Sequence, residues 1–512
     1  MVNISKVNPE KWEKLYFKTL SILENFPIPL MSFHLEKIQD YNRYSYTNIL
    51  VQNKDTPNEY WDVTGDFTSN KNGENFNLYR HLSHYKKRKK IELNDEDILW
   101  SEETSHKWYN IFGEKTQGYP YHLAILCVGI LLESELKGVA YVTGDINISD
   151  TLKIMPYLQK FTDLPLKLPV CLDAGKLWGL LEKEYHDTEL VSERFETLFR
   201  GSSEEALEVE FKNLDYDSFL QKYTQKIALY DTLYHSDTLC ILFHMLKSKK
   251  NGKDFLDIVQ IANTFRKNGM KPFDMESLIE VLAHLYLTIS LSKKEPKFLL
   301  LNPAGRYVEI SDIFSNSNMN LMGSPKFTLV DLVKSELIEL FSKQTSITSE
   351  EIEIIIESRE KACHEQVGEI QNFFNSFSKK MESKIPDDVK HKISADEAIF
   401  YEEAYVQKQN FRGNEIETAR ELGKLLKEIE SIKKNEFRAF PKERLLREIY
   451  KYSYKNSLCL HHTAWTAIDE ETDLNKLIYI YLLVSIKENK NKFCDSRIHI
   501  LNNPHLWDYL VG

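Results

Sequence analysis

No Cys-x-x-Cys pair occurs anywhere in the 512 residues, and the six cysteines (Cys127, Cys171, Cys240, Cys363, Cys459 and Cys494) lie far apart. That spacing excludes a zinc ribbon or a thioredoxin-type redox motif, and it is not the framework of a disulfide-stapled secreted domain. Long hydrophobic runs are missing too. The longest uncharged apolar run, Leu123 to Leu132, has about half of the ~20 residues that cross a bilayer. The opening stretch MVNISKVNPEKWEKL holds no apolar core of the length a signal peptide needs. These absences point to a cytoplasmic protein with reduced thiols and no membrane partner. An excess of positive charge is also lacking: 66 Lys and Arg against 77 Asp and Glu leave a net charge of −11. A nucleic-acid backbone would meet an overall repulsive field, which argues against broad nucleic-acid binding.

The familiar catalytic signatures are equally absent. There is no Gly-x-Ser-x-Gly elbow, no Walker loop and no Gly-x-Gly-x-x-Gly, and His364-Glu365 continues as Gln-Val-Gly without a second histidine. Nothing in the sequence calls for a cofactor or a metal. What is present describes a globular chain: 42% hydrophobic and 28% charged residues exclude disorder, and the length suggests two to four domains.

The most apolar stretch, Tyr119 to Tyr185, is the part around which the chain is organised. Leu123, Ala124, Leu126, Cys127, Ile130 and Leu131 recur at helical spacing and cover nearly all of the helix circumference, so this helix is expected to be buried. Val139 to Thr143 reads as a short buried strand, with Ser149 capping a helix from Asp150 to Phe161. Val170 to Leu172 reads as a second strand, and Asp173 as the cap of a helix from Ala174 to Tyr185. In an open α/β sheet, ligands collect beyond the carboxyl ends of strands. That places Thr143, Gly144, Asp145 and Asp173 at a candidate ligand mouth, where the two acids would bind a cation or act as a base. The plainer alternative is that one Asp makes a turn and the other caps a helix.

Along the chain, residues 1–115 read as a mixed α/β region, with a helix from Glu10 to Glu24 and strands at Tyr44–Val51, Tyr60–Val63 and Phe76–Tyr79. The Asn/Lys/Gly segment 69–75 reads as a loop. Residues 116–200 form the helix–strand–helix unit, and 201–326 a helical domain with a hairpin near 298–310. Residues 327–512 read as helices only. The fold class is therefore predominantly α-helical, with a small α/β N-terminal region (α+β) and a multi-helix C-terminal half. A long helix from Ser349 to Lys384 carries a seam through Cys363, Val367, Ile370, Phe374, Phe377 and Met381, suited to packing against another long helix. The single dense basic run, His84 to Lys90, offers a local patch at Lys86–Lys90 as the one place for nucleic acid.

Two further clusters carry polar chemistry. Arg359-x4-His364 resembles the Arg-x4–6-His signature of HEPN ribonucleases, which are all-helical and metal-independent. The resemblance implies that Arg359 steadies a scissile phosphate and that His364 transfers the proton. Five residues along a helix is about 140° of rotation, which sets the two side chains apart, and a structural Arg–Glu pair is the alternative. His461-His462 with Cys459 and Asp469 is the second cluster; adjacent histidines on a helix point apart and cannot easily grip one ion.

The function expected from these readings is a non-enzymatic, cytosolic protein-interaction subunit or adaptor of a larger complex, for which a bacterial conflict or defence system is a natural setting. Its partner would be another protein, bound through the helical C-terminal half. The alternatives are a HEPN-like ribonuclease at Arg359 and His364, and a metal- or nucleotide-dependent enzyme near Asp145.

Overall fold

The computed structural model describes residues 1–69, 71–86, 108–144, 146–233, 235, 238, 241–242, 244–245, 252–267, 269–283, 299–301, 307–309, 334–343, 347–358, 361, 400, 415–432, 440–486 and 493–512. The fold is α+β and mostly helical, with one six-stranded sheet. Helix α1 (Pro9–Glu24) begins where Asn8 Oδ1 accepts the amides of Glu10 and Lys11 at 2.8 and 3.1 Å, relieving two of the orphan donors of a helix start. Its buried stripe, Trp12, Leu15, Tyr16, Thr19, Ile22 and Leu23, repeats at steps of three and four and faces the largest core cluster.

The sheet follows at once. Strands β1 (Leu30–Ile38), β2 (Tyr41–Thr47), β3 (Val51–Gln52), β4 (Tyr60–Asp66) and β5 (Lys71–Tyr79) pair in the order β3-β4-β1-β2, with β5 on β4, all antiparallel. The segment 69–75, expected as a loop, is for the most part the start of β5. It pairs with β4 across an irregularity between Val63 and Gly65, which lets polar Asn and Lys residues run along a strand. Gly65 makes this close approach feasible, because a Cβ there would sit 2.1 Å from the Lys71 carbonyl oxygen.

Helix α2 (His122–Glu135) is buried continuously from Leu123 to Leu132, as its all-round apolar surface requires. It packs on α1 and on α3 (Ile148–Leu158). Two expected strands in this region do not form. Val139–Thr143 contributes only a single bridge, Ala140 to Val2, and Val170–Leu172 is a 3-10 turn closed by Leu172 N–H onto the Pro169 carbonyl at 2.9 Å. Among the described residues neither has a neighbouring strand to pair with, so the expected sheet does not form here. The cap of α3 is Asn147 rather than Ser149: its Oδ1 accepts the Asp150 amide at 2.8 Å. Asp173 does cap the next helix, α4 (Ala174–Glu184), through the Lys176 amide.

Helices α5 (Thr188–Leu198), α6 (Ser203–Asn213), α7 (Tyr216–Ala228) and α8 (Gly252–Phe265) follow. The expected hairpin is present as strands β6 (Leu299–Leu301) and β7 (Tyr307–Glu309). Further on, α9 (Glu415–Ile432) and α10 (Lys442–Lys455) are helical as expected. The run of helices is then interrupted by a three-residue strand, β8 (Cys459–His461), which pairs parallel with β2 through Tyr44↔Cys459, Ser45↔Leu460 and Tyr46↔His461. Helices α11 (His462–Glu470), α12 (Leu474–Ser485) and α13 (Trp507–Val511) complete a C-terminal core containing Trp465 and Trp507. Phe400 joins the N-terminal core, with ring centroids 5.0 Å from Phe26 and 5.5 Å from Tyr157. No helix among the described residues is long and apolar enough to cross a membrane.

Candidate functional site

The cavity that this topology leaves open has a volume of about 780 Å³, within the range of small-molecule sites. One wall is a single face of α2: His122, Ile125, Leu126, Gly129, Leu132 and Glu133, which follow the i, i+3, i+4, i+7 pattern that gathers side chains on one side of a helix. Opposite runs the strap 110–118, whose Ile111 and Phe112 give the cavity apolar surface. The strap is held by hydrogen bonds at several points. Tyr109 and Val2 exchange backbone bonds of 2.9 Å, the Glu74 amide donates to the Lys115 carbonyl, and the Lys115 amide returns a bond to the Glu74 carboxylate at 2.9 Å. Thr116 Oγ1 and His122 Nδ1 share a further bond of 3.1 Å.

The far end is built by the loop from 140 to 147 and the start of α3. Thr143 and Gly144 of the expected mouth both line it, together with Asn147, Asp150 and Arg200. Gly144 has φ +108°, with nothing within 4 Å of the position of a Cβ; the left-handed backbone, not crowding, favours glycine there. Glu133 anchors the loop. Its two carboxylate oxygens accept the amides of Val142 and Val170, each at 2.7 Å, and burial lifts its pKa above the ordinary carboxylate value although the amides pull the other way. Asp150 is buried and accepts from Asn147 Nδ2 at 2.7 Å and Lys153 Nζ at 2.9 Å. Arg200 donates through Nη1 to the carbonyls of Thr197 and Phe199 at 2.7 and 3.1 Å.

Asp173 is not in this wall. It caps α4 and pairs with Lys176 at 2.5 Å, the plainer of its two readings. Asp145, Arg359, His364 and the basic run at 87–90 lie outside the described residues, as does the side chain of Lys86. Among the described residues, no three His, Cys, Asp or Glu side chains are grouped to hold a metal ion. Sequence reasoning missed His122, Glu133, Asn147, Asp150 and Arg200. A legible signal was there for three of them: Glu133 directly follows the apolar run Leu123 to Leu132, and Asn147 followed by Asp150 has the spacing of a cap and its third residue.

A second polar group spans the sheet. Ser32 Oγ donates to Asp62 at 2.7 Å, Gln52 Nε2 donates to Ser32 Oγ at 2.8 Å, and His34 Nε2 shares a 2.5 Å bond with Thr47 Oγ1. His461 and His462 do not share a helix. His461 ends β8 and His462 begins α11, and their rings lie 4.3 Å apart. Asp469 is taken up by Arg43 and Tyr450. Compared with protein-family models, curated proteins and solved structures, the chain matches none.

Proposed function

We propose that this chain is a cytoplasmic recognition subunit that holds a small organic molecule in the cavity between α2, the strap 110–118 and the start of α3. The observation that carries this reading is the cavity itself: about 780 Å³ with an apolar centre and hydrogen-bonding groups such as Thr143, Gly144 and His122 at its two ends. The buried free thiols Cys127, Cys171 and Cys459 suit a reducing compartment. The test is native mass spectrometry and thermal-shift screening of the full chain against pooled metabolites. A hit abolished by Thr143→Trp supports the reading; hits that all survive that substitution defeat it.

A specific surface also favours the adaptor reading. Phe33, Tyr44 and Tyr454 form a ladder of rings at centroid spacings of 5.2 and 5.1 Å, beside Leu35, which is 54% exposed. The ladder joins the N-terminal sheet to α10, so a protein partner docked on it would engage the C-terminal half as well. Affinity capture with the wild type and with Leu35→Asp tests this: a partner retained equally by both does not use the ladder.

A further inference from the structure

We infer that the cavity takes an uncharged, elongated molecule with an apolar middle and hydrogen-bonding ends; this rests on the cavity reading above. Length comes from α2. His122 and Glu133 bound the lining stripe, and at ~1.5 Å rise per residue they stand roughly 16 Å apart along the axis. Between them α2 lines the cavity with Ile125, Leu126, Gly129 and Leu132, and Phe76, Ile111 and Phe112 line it too, so the middle of an occupant would meet chiefly hydrocarbon and aromatic rings.

Neutrality comes from the accounts of the buried charges. Glu133 has both oxygens committed to backbone amides. Asp150 has both oxygens committed, one to Asn147 and one to Lys153. Arg200 spends Nη1 on two carbonyls, and its positive charge stands against that of Glu133, both acting on the Cys171 thiol; the Met1 ammonium, also in the lining, donates to the Tyr141 carbonyl at 2.8 Å. Glu114 and Lys115 belong to the exposed part of the strap and offer one charge of each sign. A ligand with a full charge would leave water and upset the balance of Glu133 and Asp150 against Arg200 and Lys153, which is costly in a half-enclosed apolar site. Neutral groups remain in the Thr143 hydroxyl and the Gly144 N–H, Asn147 being spent on Asp150 through both side-chain atoms and the Gly144 carbonyl on the Ile146 amide. An occupant with hydroxyl, amide or carbonyl ends fits this inventory, whereas a nucleotide or another phosphate ester does not.

The experiment is a fluorescence titration of the full chain with two probes, neutral Nile red and anionic anilinonaphthalene sulfonate, on the wild type and on Thr143→Trp. Nile red is expected to brighten with the wild type and to lose at least tenfold in affinity with Thr143→Trp, while any sulfonate signal is the same for both. A sulfonate signal that depends on Thr143 and exceeds that of Nile red overturns neutrality but leaves the site standing. If neither probe responds to the substitution, the cavity reading itself falls. Thr116→Trp, at the other end of the cavity, is the second variant; its melting curve and that of Thr143→Trp establish that each is folded before binding is compared.

Discussion

Arg43 and Asp469, separated by 426 residues in sequence, meet through a guanidinium–carboxylate bond of 2.9 Å. Arg43 is also bound by Glu36 at 2.8 Å and lies over the Trp465 ring at 4.9 Å. Tyr450 donates to the same Asp469 at 2.6 Å. The node ties β1 and β2 to α10 and α11 beside the parallel β2–β8 pairing. Arg43 is only 8% exposed, so its charge depends on two acids that are themselves partly solvated.

Removing one acid leaves the guanidinium the other. Asp469→Asn or Glu36→Gln alone is therefore expected to cost about 1 kcal/mol, while the double variant strands a buried charge and costs roughly 3–5 kcal/mol. Urea unfolding of the three variants measures this. Simple additivity would mean that the acids do not share Arg43.

Phe400 packs in edge-to-face geometry against Phe26 and Tyr157 and is completely buried. Phe400→Ala is expected to lower stability by about 3–5 kcal/mol, the range for emptying an aromatic site in a core. Because the three rings share one pocket, Phe26→Ala in the same background is expected to cost less than it does alone. Denaturant melts followed by tryptophan fluorescence decide it, and equal costs would place Phe400 outside that core.

At Gly65 the constraint is backbone against backbone. A methyl group there would meet the Lys71 carbonyl oxygen at 2.1 Å and Asn72 Cα at 2.9 Å, neither of which can swing away as a side chain can. Gly65→Ala is expected to cost about 3 kcal/mol by forcing β4 from β5. Hydrogen exchange at Asn72 and Phe76 reads the local effect; unchanged protection would contradict it.

The apolar helices were legible because their signal is local. Pro9 and the Trp12–Leu23 stripe fix α1, and Asp173 fixes the start of α4, from neighbours within a few positions. The sheet was less so. Residues Leu30–Ile38 include His34, Glu36 and Lys37 and form a strand only because β2 and β4 pair with them, and Asn72 and Asn75 extend because β4 lies alongside. Three-residue β8 carries no periodic signal at all; its partner is more than 400 residues away. For the cavity, Thr143 and Gly144 are reached by placing strands at Val139–Thr143 and Val170–Leu172, neither of which forms. The loop is there for another reason: Glu133 holds it.

Acid dependence brings opposing groups of the sheet into one measurement. Burial, with the nearby His462 adding to it, lowers His461 to about 4. Its neutral form is favoured in the fold, so its contribution is present above the ordinary histidine value of about 6.5 and is lost as pH falls toward 4. Asp62 and Asp66 behave oppositely: burial lifts each to about 6, against the bonds from Ser32 and Ser69 that pull them down. Their contribution is present below the ordinary aspartate value of about 3.9 and is lost as pH rises through 6. Between pH 4 and 6 the two trends offset each other, and the wild-type melting temperature is expected to vary weakly there. Asp66→Asn removes part of the acid-side gain, so its melting temperature falls more steeply on going from pH 6 to pH 4.5. His461→Asn removes an acid-side loss and gives a shallower fall than the wild type, or a rise. Scanning calorimetry of the three proteins across that window checks the signs. An Asp66→Asn profile parallel to that of the wild type would mean that the carboxyl titrates as if it were in water.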